Sequence, residues 1–441
     1  MAEKNNIENQ IENASQKVVE KLHGDKVIWM ITFILTLFSL AVVYSSSSSL
    51  AYKHQTSNFS FVVNQLIFVA LGWVVLFICY KIPIKWYRLL SFSALVLTIG
   101  LLALTLVLNH NLNGAARGLS LGGITFQPSE LAKITIVLYL ARIIEISPLE
   151  TFGEFAVKIL APVLVLCGLI AWGSISMALL VGIIVFVIFI ATGIKWNYIW
   201  KSALIVGGLG LCVVLTHVVS GGKAFPRLST AVGRIERFTK GEEKDLDTKE
   251  LTKEELQARA DEDLQEDMAR IAIVSGKLFG KGPGKSTQRF ILPHPYSDFV
   301  YSLIVEEYGM IVAIIIMWFY MVLLYSCIKL AKQCKAVFSS VVVTGLAFGI
   351  TFQAFLHILV NVGIMPITGH TLPLISLGGS SLIMIMGSIG IILSVSRTRE
   401  AVDTQQKEEK AAEAKINKEE NNFLGDEESN INDYEQFQSN N

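Results

Sequence analysis

Apolar runs about 20 residues long alternate with short polar breaks along most of this chain. They centre near Leu37, Ala70, Val96, Val137, Val163, Val185, Gly208, Met310, Gly349 and Ile385. A helix of that length crosses a hydrocarbon core about 30 Å thick. The pattern therefore predicts an all-α integral membrane protein with about ten transmembrane helices over residues 27–397. Ten crossings return both termini to one side. Residues 1–26 are polar and carry both signs of charge. The apolar run after them has no small-residue cleavage site, which makes it a retained first span and not a signal peptide. Residues 398–441, rich in Glu, Gln, Asn and Lys, form a predicted disordered tail.

The breaks alternate in charge. Those holding Lys81, Lys85 and Arg88, then Arg142 and Lys158, then Lys195 and Lys201, then Lys329, Lys332 and Lys335, and finally Arg397 and Arg399 are basic. The breaks around Lys53, Arg117 and Ile367 are nearly free of Lys and Arg. The positive-inside rule makes the basic set and both termini cytoplasmic. The long polar segment 220–296, between spans seven and eight, is then a large extracytoplasmic loop. From Gly241 to Arg270 it carries twelve acids against five bases. Leu264, Met268 and Ile271 recur there at i, i+4, i+7, which predicts an amphipathic helix on the membrane surface or over the spans. A solvated helical face is the alternative.

Composition narrows the class. Of 441 residues, 52% are hydrophobic and 17% charged, which excludes a soluble two-domain protein. The net charge of zero gives no electrostatic case for nucleic acid. Cys79, Cys167, Cys212, Cys327 and Cys334 lie in or beside apolar runs, without metal-ligand spacing, and serve as packing residues.

The stretch Phe290–Gly309, FILPHPYSDFVYSLIVEEYG, carries the candidate chemistry. Asp298 stands where the outer loop meets an apolar run, and Glu306 and Glu307 follow inside that run. A charge within a span costs roughly 2.5–3.5 kcal/mol on insertion scales, so such acids normally face a polar cavity and work there. A helix from Tyr296 would put Ser302, Val305 and Gly309 on the face of Asp298, Glu306 about 80° to its side, and Glu307 away from it. A second outer stretch, GAARGLSLGGITFQPSE from Gly114 to Glu130, enters the fourth span. Pro128 fits a helix start, Glu130 lies near the positive helix end, and Lys133 follows at i+3. Lys133 is either an outer-rim cation or half of a structural pair with Glu130. Arg117 offers a fork suited to phosphate or carboxylate.

Two lookalikes fail. GKGPGKST, Gly280–Thr287, imitates a phosphate loop, but Phe279 stands where its first glycine belongs, and nucleotide is scarce outside the cell. Asp261-Glu262-Asp263 sits in an acidic run without a surrounding strand pattern. His357 and Asn361, at i, i+4 on the ninth span, fit interhelical hydrogen bonding.

Four motifs then occur in order: GxxRGxxLGxxxFQPSELAKxxxxxYLA, SGKLFGKGPGKSTQ, LPHPYSDFVYSLIVEEYG and GxMPxTGHTLPLISLGGSS. Over residues 27–397 the chain resembles the SEDS family (shape, elongation, division and sporulation), and most of all its division members. The resemblance implies a peptidoglycan glycosyltransferase that polymerises lipid II on the outer face of the bacterial cytoplasmic membrane during cell division. It also implies a class B penicillin-binding transpeptidase and other division proteins as partners. Asp298 matches the essential aspartate of the family. Arg117, Glu130 and Lys133 match polar residues of its outer cavity, and Gln288, Glu306 and Glu307 further motif positions, giving a substrate-binding set around Asp298. The chain departs from the family at Trp172–Met177, which replaces a Glu/Gln-Pro-Asp-Leu-Gly-Thr motif, and at Gly118 and Leu377, where Trp and Tyr are common.

Glycan polymerisation needs a base for the acceptor hydroxyl, and Asp298 supplies one. It also needs cations for the leaving diphosphate, which Arg117 and Lys133 supply. No cofactor is demanded by the residues; a divalent cation, Mg or Mn, could share the diphosphate charge. A lipid II flippase and a non-catalytic division scaffold are the alternatives.

Overall fold

The computed structural model describes residues 23–46, 58–109, 118–121, 124–220, 228, 232–233, 253–290, 292, 296–402 and 404–405. Arg117, most of the loop 220–252 and the tail beyond 405 lie outside the described residues, as do nearly all of residues 1–26. The helices are α1 (Lys26–Ser46), α2 (Asn58–Lys81), α3 (Ile84–Asn109), α4 (Pro128–Ile146), α5 (Phe152–Gly173), α6 (Ile175–Ala191) and α7 (Trp196–Val219). They continue with α8 (Lys253–Gly276), α9 (Val300–Gln333), α10 (Val337–Asn361) and α11 (Gly379–Val402). A short antiparallel hairpin, β1 (Leu119–Leu121) with β2 (Ile124–Phe126), precedes α4.

The protein is a multi-pass membrane protein. Each of the ten apolar centres falls inside a helix, and eight helices are long and apolar enough to cross a membrane. The other two are α4, a 19-residue helix carrying Glu130, Lys133, Arg142 and Glu145, and α6, apolar but 17 residues long. Charge and shortness, respectively, set them apart from the eight.

Two compact units form. The larger is Asp25–Val395; the smaller joins the chain ends, and within it the Gly24 amide donates to Glu400 Oε2 at 2.5 Å. In the larger unit α10 lies deep among its neighbours, whereas α7 is exposed along almost its whole length. Close approach around α10 needs glycine: a Cβ on Gly345 would stand 2.7 Å from Val137 of α4, and one on Gly349 2.9 Å from Ile184 of α6. At the end of α4 remote from Glu130, Glu145 pairs with Arg88 at 2.9 Å and accepts from Arg142 at 3.0 Å. The five cysteines are free thiols.

Three expectations change. First, α9 begins at Val300, not at Tyr296, and residues 296–299 form a turn. Second, α9 is broken at Gly309, whose φ of 86° and ψ of 170° are not helical. From Met310 to Gln333 the helix rises about 36 Å, which crosses the hydrocarbon core unaided. The turn of helix holding Glu306 and Glu307 thus precedes a stretch long enough to be a complete span by itself. Both side chains are buried.

Third, α8 is a helix, but Leu264 and Ile271 are exposed and only Met268 of the expected stripe packs inward. The docked face is Ala269, Ala272 and Gly276, at i, i+3, i+7. Small residues win because backbone meets backbone here: a Cβ on Gly276 would stand 2.1 Å from the Val305 carbonyl oxygen.

Candidate functional site

Asp298 sits half-buried in the turn that leads into α9. Its Oδ1 accepts from Ser297 Oγ at 2.9 Å. Three successive carbonyl oxygens of this turn are held from outside it. Tyr296 O accepts from Leu377 N at 2.9 Å, Ser297 O from Ser376 Oγ at 2.9 Å, and Asp298 O from Asn361 Nδ2 at 3.0 Å. The Ser376–Leu377 segment is itself shaped locally, with Leu372 N donating to Ser376 Oγ at 2.8 Å. Leu377 contributes its backbone, so the contact does not depend on its side chain. Burial and the neighbouring Asp298 carboxylate push the Tyr296 phenol above its ordinary pKa.

A second polar group lies deeper. Lys133 Nζ stands 2.7 Å from Glu130 Oε2, off the line a hydrogen bond would take, so the contact is an ion pair. The same ammonium donates to Gln353 Oε1 at 2.5 Å, and Gln353 Nε2 donates to the Thr371 carbonyl at 3.0 Å. The cavity beside Lys133 is about 20 Å³, room for a single water and not for a sugar.

One stripe on α10 joins the two groups. Gln353, His357 and Asn361 follow at intervals of four, each 1% exposed. Gln353 holds Lys133, His357 Nδ1 lies 2.7 Å from the His370 carbonyl, and Asn361 holds Asp298. Eight residues of helix separate the first from the last, about 12 Å of rise. Lys133 is therefore a buried cation whose partner on α10 lies about two turns from the partner of Asp298.

Glu306 and Glu307 form a third group. Lys281 Nζ lies 2.7 Å from Glu306 Oε1, which also accepts from Thr287 N at 3.1 Å and Thr287 Oγ1 at 3.0 Å, while Ser286 Oγ donates to Oε2. The phosphate-loop lookalike thus wraps a carboxylate of its own chain. Glu307 Oε1 accepts from Ser45 Oγ at 2.5 Å and lies 4.0 Å from Arg289 Nη1. Gln288 is half-buried on a 3₁₀ turn, and its Oε1 finds no hydrogen-bond partner among the described residues. The substrate-binding set of the sequence is therefore split: Glu130 with Lys133, Glu306 and Glu307 with loop residues, and Asp298 apart. Among the described residues no three of His, Cys, Asp and Glu converge as metal ligands.

Residues 25–401 match the FTSW_RODA_SPOVE family, described as cell cycle protein. The chain belongs to the FtsW–RodA–SpoVE family. Within that family it is most like the FtsW members. A probable peptidoglycan glycosyltransferase FtsW from Geobacter sp. (strain M18) is 29% identical over 379 residues, covering 84% of this chain and 96% of the relative. The Bacillus subtilis (strain 168) protein of that name is 28% identical over 389 residues, 86% of this chain and 92% of the relative. Among solved structures, a chain from a peptidoglycan synthase complex that coordinates polymerization and crosslinking superposes with a TM-score of 0.65 at 25% identity, over 86% of this chain and 99% of the other. The rod shape determining protein RodA of Thermus thermophilus shares the fold, with a TM-score of 0.59 at 24% identity over 86% of this chain and 99% of the other.

At Trp172–Met177 the structure shows a plain helix junction. Ser174 caps α6 by accepting from Met177 N at 3.4 Å. Sequence reasoning passed over Gln353, Lys281, Arg289 and Ser45. Gln353 carried a signal, since it extends the His357–Asn361 spacing by one more interval of four.

Proposed function

We propose that this chain is a peptidoglycan glycosyltransferase that polymerises lipid II on the outer face of the cytoplasmic membrane during division, with a class B penicillin-binding transpeptidase and other division proteins as partners. One observation carries the catalytic assignment. Glu130 faces Lys133, Glu306 faces Lys281 and Glu307 faces Arg289, whereas no described cation pairs with Asp298. Asp298 is thus the site acid left available as a proton acceptor, in a turn held by three outside donors.

In this reading Asp298 takes the proton of the acceptor 4-hydroxyl as that oxygen attacks the anomeric carbon of the donor. The bond from that carbon to the diphosphate breaks, undecaprenyl diphosphate leaves, and the anomeric centre inverts because a single carboxylate acts without a covalent intermediate. Arg117 and Lys133 offset the charge developing on the diphosphate. Lys133 has three N–H donors, of which Gln353 engages one, while Glu130 lies beside the ammonium as its ion-pair partner. Given the small cavity beside it, diphosphate reaches Lys133 only when α10 and α11 part from α4. The described residues do not by themselves assemble a site for Mg or Mn, so no step is assigned to a metal.

Purified protein incubated with lipid II, with and without the transpeptidase, tests this reading. Glycan polymer is the expected product. Transbilayer movement of labelled lipid II without polymer would instead indicate a flippase, and neither activity would indicate a scaffold.

A further inference from the structure

Asn361 does two jobs with one amide. Its Oδ1 accepts from Ser302 N at 3.0 Å and from Ser302 Oγ at 2.8 Å, and its Nδ2 donates to Asp298 O at 3.0 Å and to His357 O at 2.9 Å. A primary amide has two donors and one oxygen with two lone pairs, so its capacity is filled. The orientation is unambiguous, because Ser302 N can only donate and Asp298 O can only accept. The side chain is 1% exposed and comes from α10, 63 residues beyond Asp298.

The need for it follows from helix geometry. The first N–H groups of a helix have no partner within it, and an N-cap side chain normally accepts from one of them. The N-cap of α9 is Phe299, which has no acceptor and makes no side-chain cap bond. Ser302 is the third residue of the helix, the position an N-cap side chain would satisfy. Asn361 supplies that acceptor from another helix, and the other half of the same amide grips the peptide carbonyl of Asp298.

We infer that Asn361 is a positioning residue for Asp298. It couples the start of α9 to the Asp298 carbonyl and so fixes where the carboxylate points. This rests on the catalytic reading of Asp298. A displacement of about 1 Å in a reacting group costs on the order of 100-fold in rate. Losing the grip should therefore lower kcat and leave lipid II binding nearly unchanged.

Three variants of the full-length protein separate positioning from capping, each measured for thermal stability and for kcat and KM in lipid II polymerisation. Ser302→Ala removes the hydroxyl's hydrogen bond to Asn361 Oδ1 and leaves both the backbone cap bond and the grip on Asp298. Asn361→Asp keeps an acceptor for Ser302 but, when ionised, has no donor for Asp298 O. Asn361→Ala removes both. Positioning predicts that Ser302→Ala stays within about threefold of the unmodified kcat, that both Asn361 variants fall at least about tenfold, and that KM moves less than about threefold. Equal losses in Ser302→Ala and Asn361→Asp that follow the melting temperature would overturn the inference, as would an unchanged kcat in Asn361→Asp. Asp298→Asn runs alongside. If it is inactive while Asn361→Asp is normal, the positioning role alone fails; if it is fully active, the catalytic reading and this inference fail together.

Discussion

Lys133 and Glu130 stand 2.7 Å apart, one turn from the start of α4, with side chains 11% and 3% exposed. An acid and a base so deeply placed cannot be tested one at a time. Removing either partner of a buried pair leaves an uncompensated charge and typically costs about 3–5 kcal/mol. Lys133→Ala alone should therefore lose both folded protein and activity. The double variant Lys133→Ala with Glu130→Gln removes both charges and should restore the melting temperature while polymerisation stays absent. Recovery of polymer synthesis by the double variant would make the pair structural.

Lys281 and Glu306 pose the opposite case. Four donors converge on a carboxylate with no exposure, and all come from residues 281–287. The arrangement fastens the segment 281–287 to α9. Glu306→Gln retains an acceptor and should cost about 1–3 kcal/mol through weaker hydrogen bonds and an unpaired, partly exposed lysine. Its melting temperature should fall and its KM for lipid II should change little. A large rise in KM with normal stability would return Glu306 to the substrate-binding set.

Gly309 and Gly280 permit that fastening. Both have positive φ, 86° and 75°, and a Cβ on Gly309 would stand 2.2 Å from the Leu278 carbonyl oxygen, against 2.3 Å from the Glu307 carbonyl oxygen for Gly280. Backbone cannot yield as a side-chain tip can. Gly309→Ala and Gly280→Ala should each sharply reduce folded protein in the membrane, measured by size-exclusion profile and melting temperature. Gly284 also has positive φ, but a Cβ there meets nothing within 4 Å, so Gly284→Ala should be the mildest of the three.

Orientation is testable by labelling. The alternation of basic breaks places a cysteine near Lys249 outside and one after Arg399 inside. An impermeant thiol reagent added to intact cells should therefore label the first position only. Labelling of both, or of the second alone, would overturn the assignment.

Much of this was legible in the chain. Apolar runs located each of the eight described helices long and apolar enough to span, since burial in lipid demands a local run of apolar residues. Glu130 and Lys133 were visible as a pair because three residues bring them onto one helix face. Long-range contacts were not: Gln353 lies 220 residues from Lys133, and Ser45 lies 262 from Glu307. The break at Gly309 was hidden because a glycine in an apolar run also fits close helix packing. The docked face of α8 was mistaken because bulk was sought, whereas backbone contact selected Ala269, Ala272 and Gly276.

Asp298 decides the matter. Asparagine keeps the size of the side chain and an oxygen able to accept from Ser297, but it cannot take a proton. Lipid II polymerisation and thermal stability should be measured on the same purified Asp298→Asn protein with its transpeptidase partner. A catalytic base predicts an unchanged melting temperature, intact partner binding and a rate lower by about two to four orders of magnitude. Polymerisation at the unmodified rate would contradict the assignment of Asp298 as the base.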